Sequence, residues 1–242
     1  MGYLRMLWIR ELLQSLSGAG SAEDLFAPVS KAARYLGFSC CSYGLRLPIP
    51  VSKPQIRVLD NYPKDWMHHY QRSGYLQVDP TVSLGMSTGK LVIWNDQTFK
   101  TAPALWHDAR AIGLNVGMAQ PAWGPGGSFG LLSLSRESEP LSAAEIEKHR
   151  RKLVWLTQAV HASMYTMLTP HMVPEGGAVL TARESEIIRW TADGKTAEEV
   201  AAILGVSDRT VTFHIQNVLG KLNSTNKIQA TVKAVALGLV RL

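Results

Sequence analysis

The sequence has few of the features that covalent cross-linking, secretion or membrane insertion require. Its two cysteines, Cys40 and Cys41, are neighbours, and neighbouring residues of a strand point to opposite faces, so they form no disulfide framework. No apolar run approaches the roughly 20 residues of a membrane span, and the amphipathic segment 1–16 contains Arg5 and Arg10 and lacks a cleavage pattern. We therefore expect a protein of the reducing cytoplasm without a membrane partner.

Signatures of catalysis and of phosphorylation are also missing. There is no G-x-S-x-G nucleophile elbow and no metal-binding spacing of histidines, since the adjacent His68 and His69 would diverge around a helix. A phosphorylated receiver domain needs acidic clusters at strand ends early in the chain, whereas the first 45 residues contain only Glu11, Glu23 and Asp24, all in predicted helices. We expect neither an enzyme nor a response regulator, and we expect no cofactor and no metal.

The composition is that of a globular protein with two domains. The chain has 242 residues, of which 46% are hydrophobic and 18% charged, so it can form one sizeable core and a smaller second domain. A sequence pI of about 9.4 fits a nucleic-acid partner. Two prolines and two glycines in segment 169–177 interrupt the helical patterns on both sides. We predict an N-terminal domain 1–168, a linker 169–178 and a C-terminal domain 179–242.

Residues 180–242 have the pattern of a helix-turn-helix unit. Thr-x-x-Glu capping boxes mark two helix starts, Asp193-Gly194 ends the first helix, and Gly205-Val206-Ser207 forms a short turn. Apolar residues recur at helical spacing from Val211 to Leu222, and a fourth helix follows from about Asn226 to Leu237. This arrangement places a polar helix face in the DNA major groove. The predicted helix caps are Thr181 with Glu184, Thr196 with Glu199, and Ser207.

Charge is segregated within this C-terminal unit. Seven acids and three bases lie between Glu175 and Asp208, whereas the stretch from Arg209 to Leu242 contains five bases and no acid. The net charge decides little, but the segregation puts positive potential where phosphates would lie. A small helical bundle with a basic face would show the same pattern, so the caps and charges alone leave that alternative open.

The N-terminal domain mixes helical and strand patterns. Ser21 with Asp24, and Ser142 with Glu145, are predicted to cap helices whose apolar residues have helical spacing. Five short segments of strand character lie between them. This order predicts an α/β/α sandwich with a mainly antiparallel five-stranded sheet. Because the C-terminal domain is predicted to be all-α with four helices, the fold class of the whole chain is α+β. The predicted strands are Ser39–Leu45, Ile56–Leu59, Leu91–Trp94, Val116–Pro121 and Phe129–Leu134.

A group of aromatic and acidic residues suggests a small-molecule pocket. Pro63 suits the first position of a helix, which would put Tyr62 at its start and Trp66 and Tyr70 one turn apart on one face. Asp79 precedes a proline, so its backbone is biased towards an extended conformation. Indole and phenol donors beside a carboxylate acceptor suit a small amide or lactone. The alternative is an ordinary aromatic core with an Asp-Pro turn, and the spacing does not decide between the two.

The C-terminal residues closely resemble the DNA-binding domain of the LuxR family. The resemblance covers about sixty residues and includes LTARESEII, GKT, ILG, RTV and FHI in that order. It implies that the helix beginning near Ser207 is the recognition helix and that double-stranded DNA is the partner. The implied contacts to the DNA backbone are Lys195, Thr196, Thr210, His214, Asn217 and Lys221, and the implied base readers are Arg209, Thr212 and Gln216.

The N-terminal motifs NYP-x-x-W-x-x-x-Y, DP-x-V and G-x-x-x-G-x-x-x-P resemble the autoinducer-binding domain of LuxR-type quorum-sensing receptors. This resemblance implies that an N-acyl-homoserine lactone is the effector, with Trp66 donating to the ring carbonyl and Asp79 accepting from the amide N–H. Tyr62 and Ser133 would donate to the acyl carbonyl. The implied wall of the ring is Tyr70, Trp94, Leu105, Trp106 and Ala109, and the implied border of the acyl tail is Ser42, Gly44, Arg46, Thr81 and Val82.

The family resemblance also implies partners beyond the effector. A homodimer would bind an inverted-repeat operator and would act together with RNA polymerase. The alternative is a regulator of the same fold that senses a different small molecule or that acts through mixed dimers with other receptors. Both readings keep the pocket and the DNA-binding unit, so they differ only in what occupies the pocket and in what pairs with the chain.

Overall fold

The computed structural model describes residues 14–15 and 18–240. Most of the predicted amphipathic N-terminus, and Arg241 among the predicted bases, lie outside the described residues. The chain divides into two compact units, of which one comprises residues up to 46, 56–124 and 129–167, and the other 47–55, 125–128 and 168 onwards. No helix in the described part is long and apolar enough to cross a membrane.

A five-stranded sheet forms the centre of the first unit. Its strands are β1 (Cys40–Leu47), β2 (Gln55–Asp60), β3 (Val92–Ile93), β4 (Val116–Trp123) and β5 (Phe129–Arg136). The strand order is β2-β1-β5-β4-β3, and the β1/β5, β5/β4 and β4/β3 pairs are antiparallel. The predicted sheet is confirmed, and each strand end lies within two residues of its predicted position.

Helices cover both faces of this sheet, as an α/β/α sandwich requires. The helices are α1 (Ala22–Tyr35), α2 (Trp66–Arg72), α3 (Pro80–Thr88), α4 (Pro103–Ala111) and α5 (Ala143–Met172). On one face, Cys41 Sγ lies 3.5 Å from Ser30 Oγ of α1, and Tyr43 OH lies 2.7 Å from His161 Nδ1 of α5. On the other face, Val82 of α3 packs against the sheet. The predicted architecture of this domain is therefore confirmed.

The two predicted helix caps of this unit form as the sequence suggested. Ser21 Oγ accepts a hydrogen bond from Asp24 N over 3.0 Å, and Ser142 Oγ accepts one from Glu145 N over 3.1 Å. Each cap satisfies a backbone N–H that a helix start leaves without a partner. The apolar stripe of α5 is fully buried, and it consists of Leu153, Leu156, Val160 and Met164.

The helix start predicted at Pro63 is wrong. The chain turns first, with Trp66 N donating to Pro63 O over 3.1 Å, and α2 begins only at Trp66, after Asp65 in the left-handed conformation at φ 68°. Two helices were not predicted, α3 and α4, and each begins with a proline, Pro80 and Pro103. Proline at the first helical position after an N-cap aspartate is a start signal that would have found α3.

The first residues of the predicted linker 169–178 are helical. Helix α5 continues through Pro170 to Met172, and a single 3-10 turn follows at Pro174–Gly177. Proline removes one helical hydrogen bond, but Leu168 and Val173 are buried on either side of it. Packing therefore keeps this stretch helical despite its proline.

The second unit contains four helices, α6 (Ala182–Ala192), α7 (Ala197–Leu204), α8 (Asp208–Lys221) and α9 (Lys227–Ala236). Both predicted capping boxes form, because Thr181 with Glu184 and Thr196 with Glu199 exchange side-chain and backbone hydrogen bonds in both directions. Gly205 ends α7 in the left-handed conformation at φ 65°, which glycine adopts without steric cost. The predicted helix-turn-helix unit is confirmed.

A buried ion pair fastens the 3-10 turn to this second unit. Lys233 Nζ of α9 donates to Glu175 Oε1 over 2.7 Å, to Leu222 O over 2.8 Å and to Asn223 O over 3.0 Å. Three donors meet three acceptors, so the mostly buried ammonium group is satisfied. Residues 174–177 are thus part of the helical unit.

Gly130 of β5 has no room for a side chain. A Cβ there would overlap His161 Nδ1 and would lie 3.0 Å from Tyr43 OH. Because overpacking a core forces side chains out of their favoured positions, we expect Gly130→Ala to lower the free energy of unfolding by about 1–3 kcal/mol. Gly44→Ala is the matched control, because its nearest neighbour atom would be 3.9 Å away. Equal stabilities for the two variants in thermal unfolding would contradict this reading of the core.

Candidate ligand pocket and nucleic-acid interface

A cavity of about 860 Å³, counting its opening to solvent, lies between the sheet and helices α2 to α4. Side chains alternate along a strand, so every second residue of β1 and β5 faces the cavity. The pairing register places these residues opposite one another, and together they form the floor of the cavity. The cross-strand pairs are Ser42 with Ser133, Gly44 with Leu131, and Arg46 with Phe129.

All but one of the predicted ligand residues line this cavity. They come from two strands, from three helices and from the segments that precede α2, precede α3 and follow β3. The fold therefore gathers around one space residues that are far apart in the sequence. The predicted residues that line the cavity are Ser42, Gly44, Arg46, Tyr62, Trp66, Tyr70, Asp79, Thr81, Val82, Trp94, Leu105, Ala109 and Ser133.

The prediction that Trp106 walls the pocket is wrong. Leu105 and Ala109 share the face of α4 that lines the cavity, whereas Trp106 is rotated from Leu105 by about 100°. Its ring stacks on Phe99, with the ring centroids 4.6 Å apart, and its Nε1 donates to Asp96 Oδ1 over 2.7 Å. Phe99 lines the cavity in its place, so Trp106 supports the wall from behind.

Several apolar lining residues were not predicted. Two of them, Phe129 and Leu131, lie on the same face of β5 as Ser133, so strand alternation could have identified them. The same argument applies to Ile56 and Val58 on β2. The remaining residues meet the cavity only through tertiary packing, for which the sequence contains no local signal. The unpredicted lining residues are Leu45, Ile56, Val58, Met67, Leu76, Phe99, Leu114, Phe129 and Leu131.

Asp79 supplies the carboxylate of the cavity. Its Oδ1 accepts hydrogen bonds from Thr81 N and Thr81 Oγ1, each over 2.7 Å, and its Oδ2 accepts one from Tyr70 OH over 2.8 Å. A carboxylate has about four acceptor positions, so Oδ2 retains capacity for one more donor. Burial raises the pKa of Asp79, although the hydrogen bonds from Thr81 and Tyr70 oppose that rise.

Two phenols and two hydroxyls provide donors close to this carboxylate. Ser42 Oγ donates to Tyr62 OH over 3.1 Å, which leaves the phenolic proton of Tyr62 available for another acceptor. Burial raises the pKa of both Tyr62 and Tyr70, so both side chains stay protonated donors at physiological pH. Ser133 faces Ser42 across the β1/β5 pair. The site can therefore bind a carbonyl oxygen next to an N–H group.

Trp94 is held against the backbone of β4. Its N donates to Gly117 O over 2.9 Å, and a Cβ at position 117 would lie 2.6 Å from two atoms of the indole ring. In the part of the chain that the structure describes, the buried Nε1 of Trp94 has no hydrogen-bond partner. A buried N–H without an acceptor costs about 1–3 kcal/mol, so an acceptor on a bound molecule would stabilise this position.

A polar cluster holds Trp66 and Tyr70 from behind. Asp108 Oδ2 of α4 accepts from Tyr75 OH over 2.6 Å and lies 2.7 Å from His69 Nε2 of α2. The rings of Tyr70 and Tyr75 lie edge to face, 5.9 Å apart. The hydrogen bonds from Tyr75 and His69 hold the pKa of Asp108 below its usual value, so it remains a carboxylate. This cluster ties α2 to α4 at the aromatic end of the cavity.

The predicted DNA-contacting residues lie on and around α8. The three predicted base readers, Arg209, Thr212 and Gln216, are all exposed and follow one another at helical spacing on one face, while Val211 and Val218 are buried in the core of the unit. The structure therefore brings the three predicted base readers together on one helix face. Of the predicted backbone contacts, Thr196 and Lys221 are exposed, and Lys195, Thr210, His214 and Asn217 are half-buried.

Two of the predicted backbone contacts are lysines that pair with acids. Lys221 Nζ donates to the buried Glu184 Oε2 over 2.7 Å, and Lys195 Nζ lies 3.8 Å from Glu199 Oε1. Although burial raises the pKa of Glu184, the hydrogen bonds from Lys221 and Thr181 hold it below its usual value. Lys221 thus stabilises the helical unit, in addition to any contact it makes with phosphate.

Family models of known proteins match both parts of the chain. The family model described as an autoinducer binding domain matches residues 21–164, and the model described as bacterial regulatory proteins, luxR family, matches residues 178–234. The chain belongs to the LuxR family. It joins an autoinducer-binding domain to a LuxR-type DNA-binding domain and is a regulator of transcription that responds to a small molecule.

The similar proteins cover between two thirds of the chain and nearly all of it. The transcriptional activator protein SolR of Ralstonia nicotianae is 50% identical over 222 residues, which cover 92% of this chain and 94% of SolR. SdiA in complex with octanoyl-rac-glycerol has a TM-score of 0.84 at 32% identity and covers 98% of this chain and 97% of its own. The N-acylhomoserine lactone dependent transcription factor CepR2 of Burkholderia cenocepacia has a TM-score of 0.59 at 31% identity and covers 68% and 95%.

Gly117→Ala tests whether the backbone of β4 positions Trp94. The new Cβ would collide with the indole ring and would lie 2.8 Å from Leu134 O, so we expect the free energy of unfolding to fall by about 1–3 kcal/mol. In a Trp94→Ala background the same substitution should cost clearly less, because the ring is gone. Chemical denaturation of the four variants gives the coupling. Equal costs in both backgrounds would show that Trp94 does not depend on Gly117.

Proposed function

We propose that the autoinducer of this chain is an N-acyl-homoserine lactone. The observation that carries the proposal is the remaining acceptor capacity of Asp79 Oδ2, which lies in an otherwise apolar cavity beside phenol and hydroxyl donors. Such a ligand presents one amide N–H, two carbonyl oxygens and an apolar tail. The cavity offers an acceptor, several donors and a wall of aromatic and aliphatic side chains for these groups. The likeness to the lactone-dependent CepR2 supports the same choice.

In this proposal the polar groups of the ligand form hydrogen bonds with the donors and the acceptor at one end of the cavity. Asp79 accepts from the amide N–H, and Trp66 donates to the ring carbonyl. Tyr62 and Ser133 donate to the acyl carbonyl. The ring lies among Tyr70, Trp94, Leu105 and Ala109, and the tail runs past Ser42, Gly44, Arg46 and Val82. Because both donors of Thr81 are bound to Asp79, we assign Thr81 the role of orienting that carboxylate.

A second candidate ligand is an acylglycerol. A specific observation favours it, because the relative SdiA forms a complex with octanoyl-rac-glycerol. An acylglycerol has a carbonyl and hydroxyl groups but no amide N–H, so it would fill the same cavity with a different bond to the carboxylate. A hydroxyl can rotate and can also accept, whereas an amide N–H only donates. The response to a change at Asp79 therefore distinguishes the two ligands.

Asp79→Asn should weaken binding of N-octanoyl-homoserine lactone by about one to two decades. The amide can turn its NH2 group towards the ligand N–H, and a buried mismatch of this kind costs about 1–3 kcal/mol. Octanoylglycerol should lose less, because its hydroxyl can reverse its role. Calorimetric titration of both ligands measures the difference. Asp65→Asn is the matched control, because Asp65 is an exposed carboxylate in a left-handed conformation that asparagine also adopts.

Two outcomes of that experiment would count against the proposal. An unchanged affinity of Asp79→Asn for the lactone would remove Asp79 as its anchor. Binding of octanoylglycerol alone by the unaltered chain would make the acylglycerol the ligand. A melting temperature of Asp79→Asn near that of the unaltered chain in the absence of ligand separates lost binding from lost folding, because Asp79 also caps α3.

We further propose that two copies of the chain bind an inverted-repeat operator. A single recognition helix covers one half-site, so a symmetric pair is needed for half-sites about one DNA turn apart. Such a dimer acts on the genome in the cytoplasm together with RNA polymerase. Mixed dimers with other receptors would use the same surface, and footprinting on two different half-sites would reveal them.

The division of the chain and its place within the family complete the proposal. We propose domains at 1–168 and 179–242 joined by 169–178, and the family matches at 21–164 and 178–234 support these limits. The runs DNYP, TARE and RTV-FHI also suggest a resemblance to the receptor QscR. SolR shares half of the aligned residues over nearly the whole chain, so we take SolR as the better guide to function.

Gln216→Ala and Lys221→Ala should differ in how they weaken DNA binding. Loss of a base contact relaxes preference at one base position and costs about 1–3 kcal/mol, whereas loss of a phosphate contact weakens all sequences alike and lowers the salt slope by about one. Lys221→Ala should also lower the melting temperature, because Glu184 loses its partner. Binding to a panel of single-base operator variants at several salt concentrations measures both effects. A sequence preference that Gln216→Ala leaves intact would exclude Gln216 from base readout.

A further inference from the structure

The exposed face of α8 contains a large apolar side chain that none of the DNA contacts above uses. Phe213 is 60% exposed, although aromatic side chains usually lie in the core or at interfaces. Its ring has an edge-to-face contact with the neighbouring His214, with the centroids 5.5 Å apart. The opposite face of the helix packs into the core of this unit, where Val211 and Val218 are buried. Packing within the unit therefore does not explain Phe213.

Phe213 occupies the middle of the proposed base-reading face. It follows Arg209 by four residues and precedes Gln216 by three, and side chains at these spacings are neighbours on a helix surface. Arg209 and Gln216 are both exposed. A helix that enters the major groove with these two residues facing the bases must bring Phe213 to the base edges between them.

The chemistry around Phe213 favours DNA over a second protein surface. The described residues from Arg209 onwards include no acid, so this face attracts a polyanion rather than repelling it. Within the major groove the only apolar group that a base pair exposes is the C5 methyl of thymine. An aromatic ring between two hydrogen-bonding side chains therefore has one kind of apolar partner there.

We propose that Phe213 reads a thymine by packing against its C5 methyl group in each operator half-site. The inference rests on the proposed entry of α8 into the major groove and adds a specificity residue to it. Burying one methyl group is worth about a fourfold change in affinity. Each half-site should therefore contain one thymine whose methyl contributes about threefold to fourfold, and that contribution should depend on Phe213 alone.

The test is a methyl scan of a selected operator. The full chain with bound N-octanoyl-homoserine lactone, or with octanoylglycerol if that is the ligand that binds, selects an inverted-repeat duplex from a random pool. Each thymine of one half-site is then replaced by deoxyuridine, which removes only the methyl group. Binding of every duplex is measured for the unaltered chain, for Phe213→Ala, for Phe213→Leu and for Val179→Ala, an exposed apolar residue outside the helices.

We expect one position at which deoxyuridine weakens binding about threefold to fourfold for the unaltered chain and for Val179→Ala. Phe213→Ala should bind the thymine duplex more weakly and should no longer distinguish thymine from deoxyuridine at that position. Phe213→Leu should retain part of the discrimination, because it keeps an apolar side chain. Melting temperatures of the variants should stay near that of the unaltered chain, since Phe213 is exposed.

The outcomes separate failure of the inference from failure of the proposed function. Sequence-specific binding with no thymine that responds to methyl removal would overturn the role of Phe213 and leave the operator proposal intact. Discrimination that persists in Phe213→Ala would assign the methyl contact to another residue and would also overturn it. A chain that selects no duplex at all would overturn both. Loss of dimers in Phe213→Ala, measured by sedimentation, would assign Phe213 to a protein interface instead.

Discussion

The pocket depends on the way a single carboxylate is held. Asp79 is the N-cap of α3, and the same side chain accepts hydrogen bonds from Thr81 and, across from α2, from Tyr70. A buried carboxylate without such partners would be too costly to keep charged. The residues that stabilise the buried carboxylate of Asp79 therefore also fix its orientation. A change at Thr81 or Tyr70 would alter the position of the carboxylate as well as the wall of the cavity.

The parts of the fold that were predictable are those that depend on interactions between residues close together in the sequence. A Thr-x-x-Glu box, or a serine before an apolar stripe, predicts which side chain accepts a hydrogen bond from which backbone N–H at a helix start. The caps at Thr181, Thr196 and Ser207 are present as predicted. The family resemblance implied Ser133 as a ligand residue, and strand alternation along β5 puts Leu131 and Phe129 on the same face. In each case the deciding atoms lie within a few residues of one another.

The failures involve competition between local preference and tertiary packing. Pro63 permits a helix start, but Asp65 in a left-handed conformation delays it to Trp66. Pro170 disfavours a helix, but burial on both sides keeps one. Trp106 and Phe99 are both aromatic, and only their stacking, with Trp106 bonded to Asp96, decides which of the two faces the cavity. No pattern in the sequence predicts which of these two rings lines the cavity.

The DNA-binding unit has less available positive charge than its sequence suggests. Among the described bases from Arg209 onwards, Lys221 and Lys233 each donate to a buried carboxylate, those of Glu184 and Glu175. An ion pair within the unit leaves less charge to release counterions from DNA. A single unit should therefore hold DNA weakly through phosphates alone. In the proposed dimer, specific affinity would come from base contacts on α8 and from doubling those contacts in a symmetric pair, so dimer formation would be a step through which a ligand could control binding.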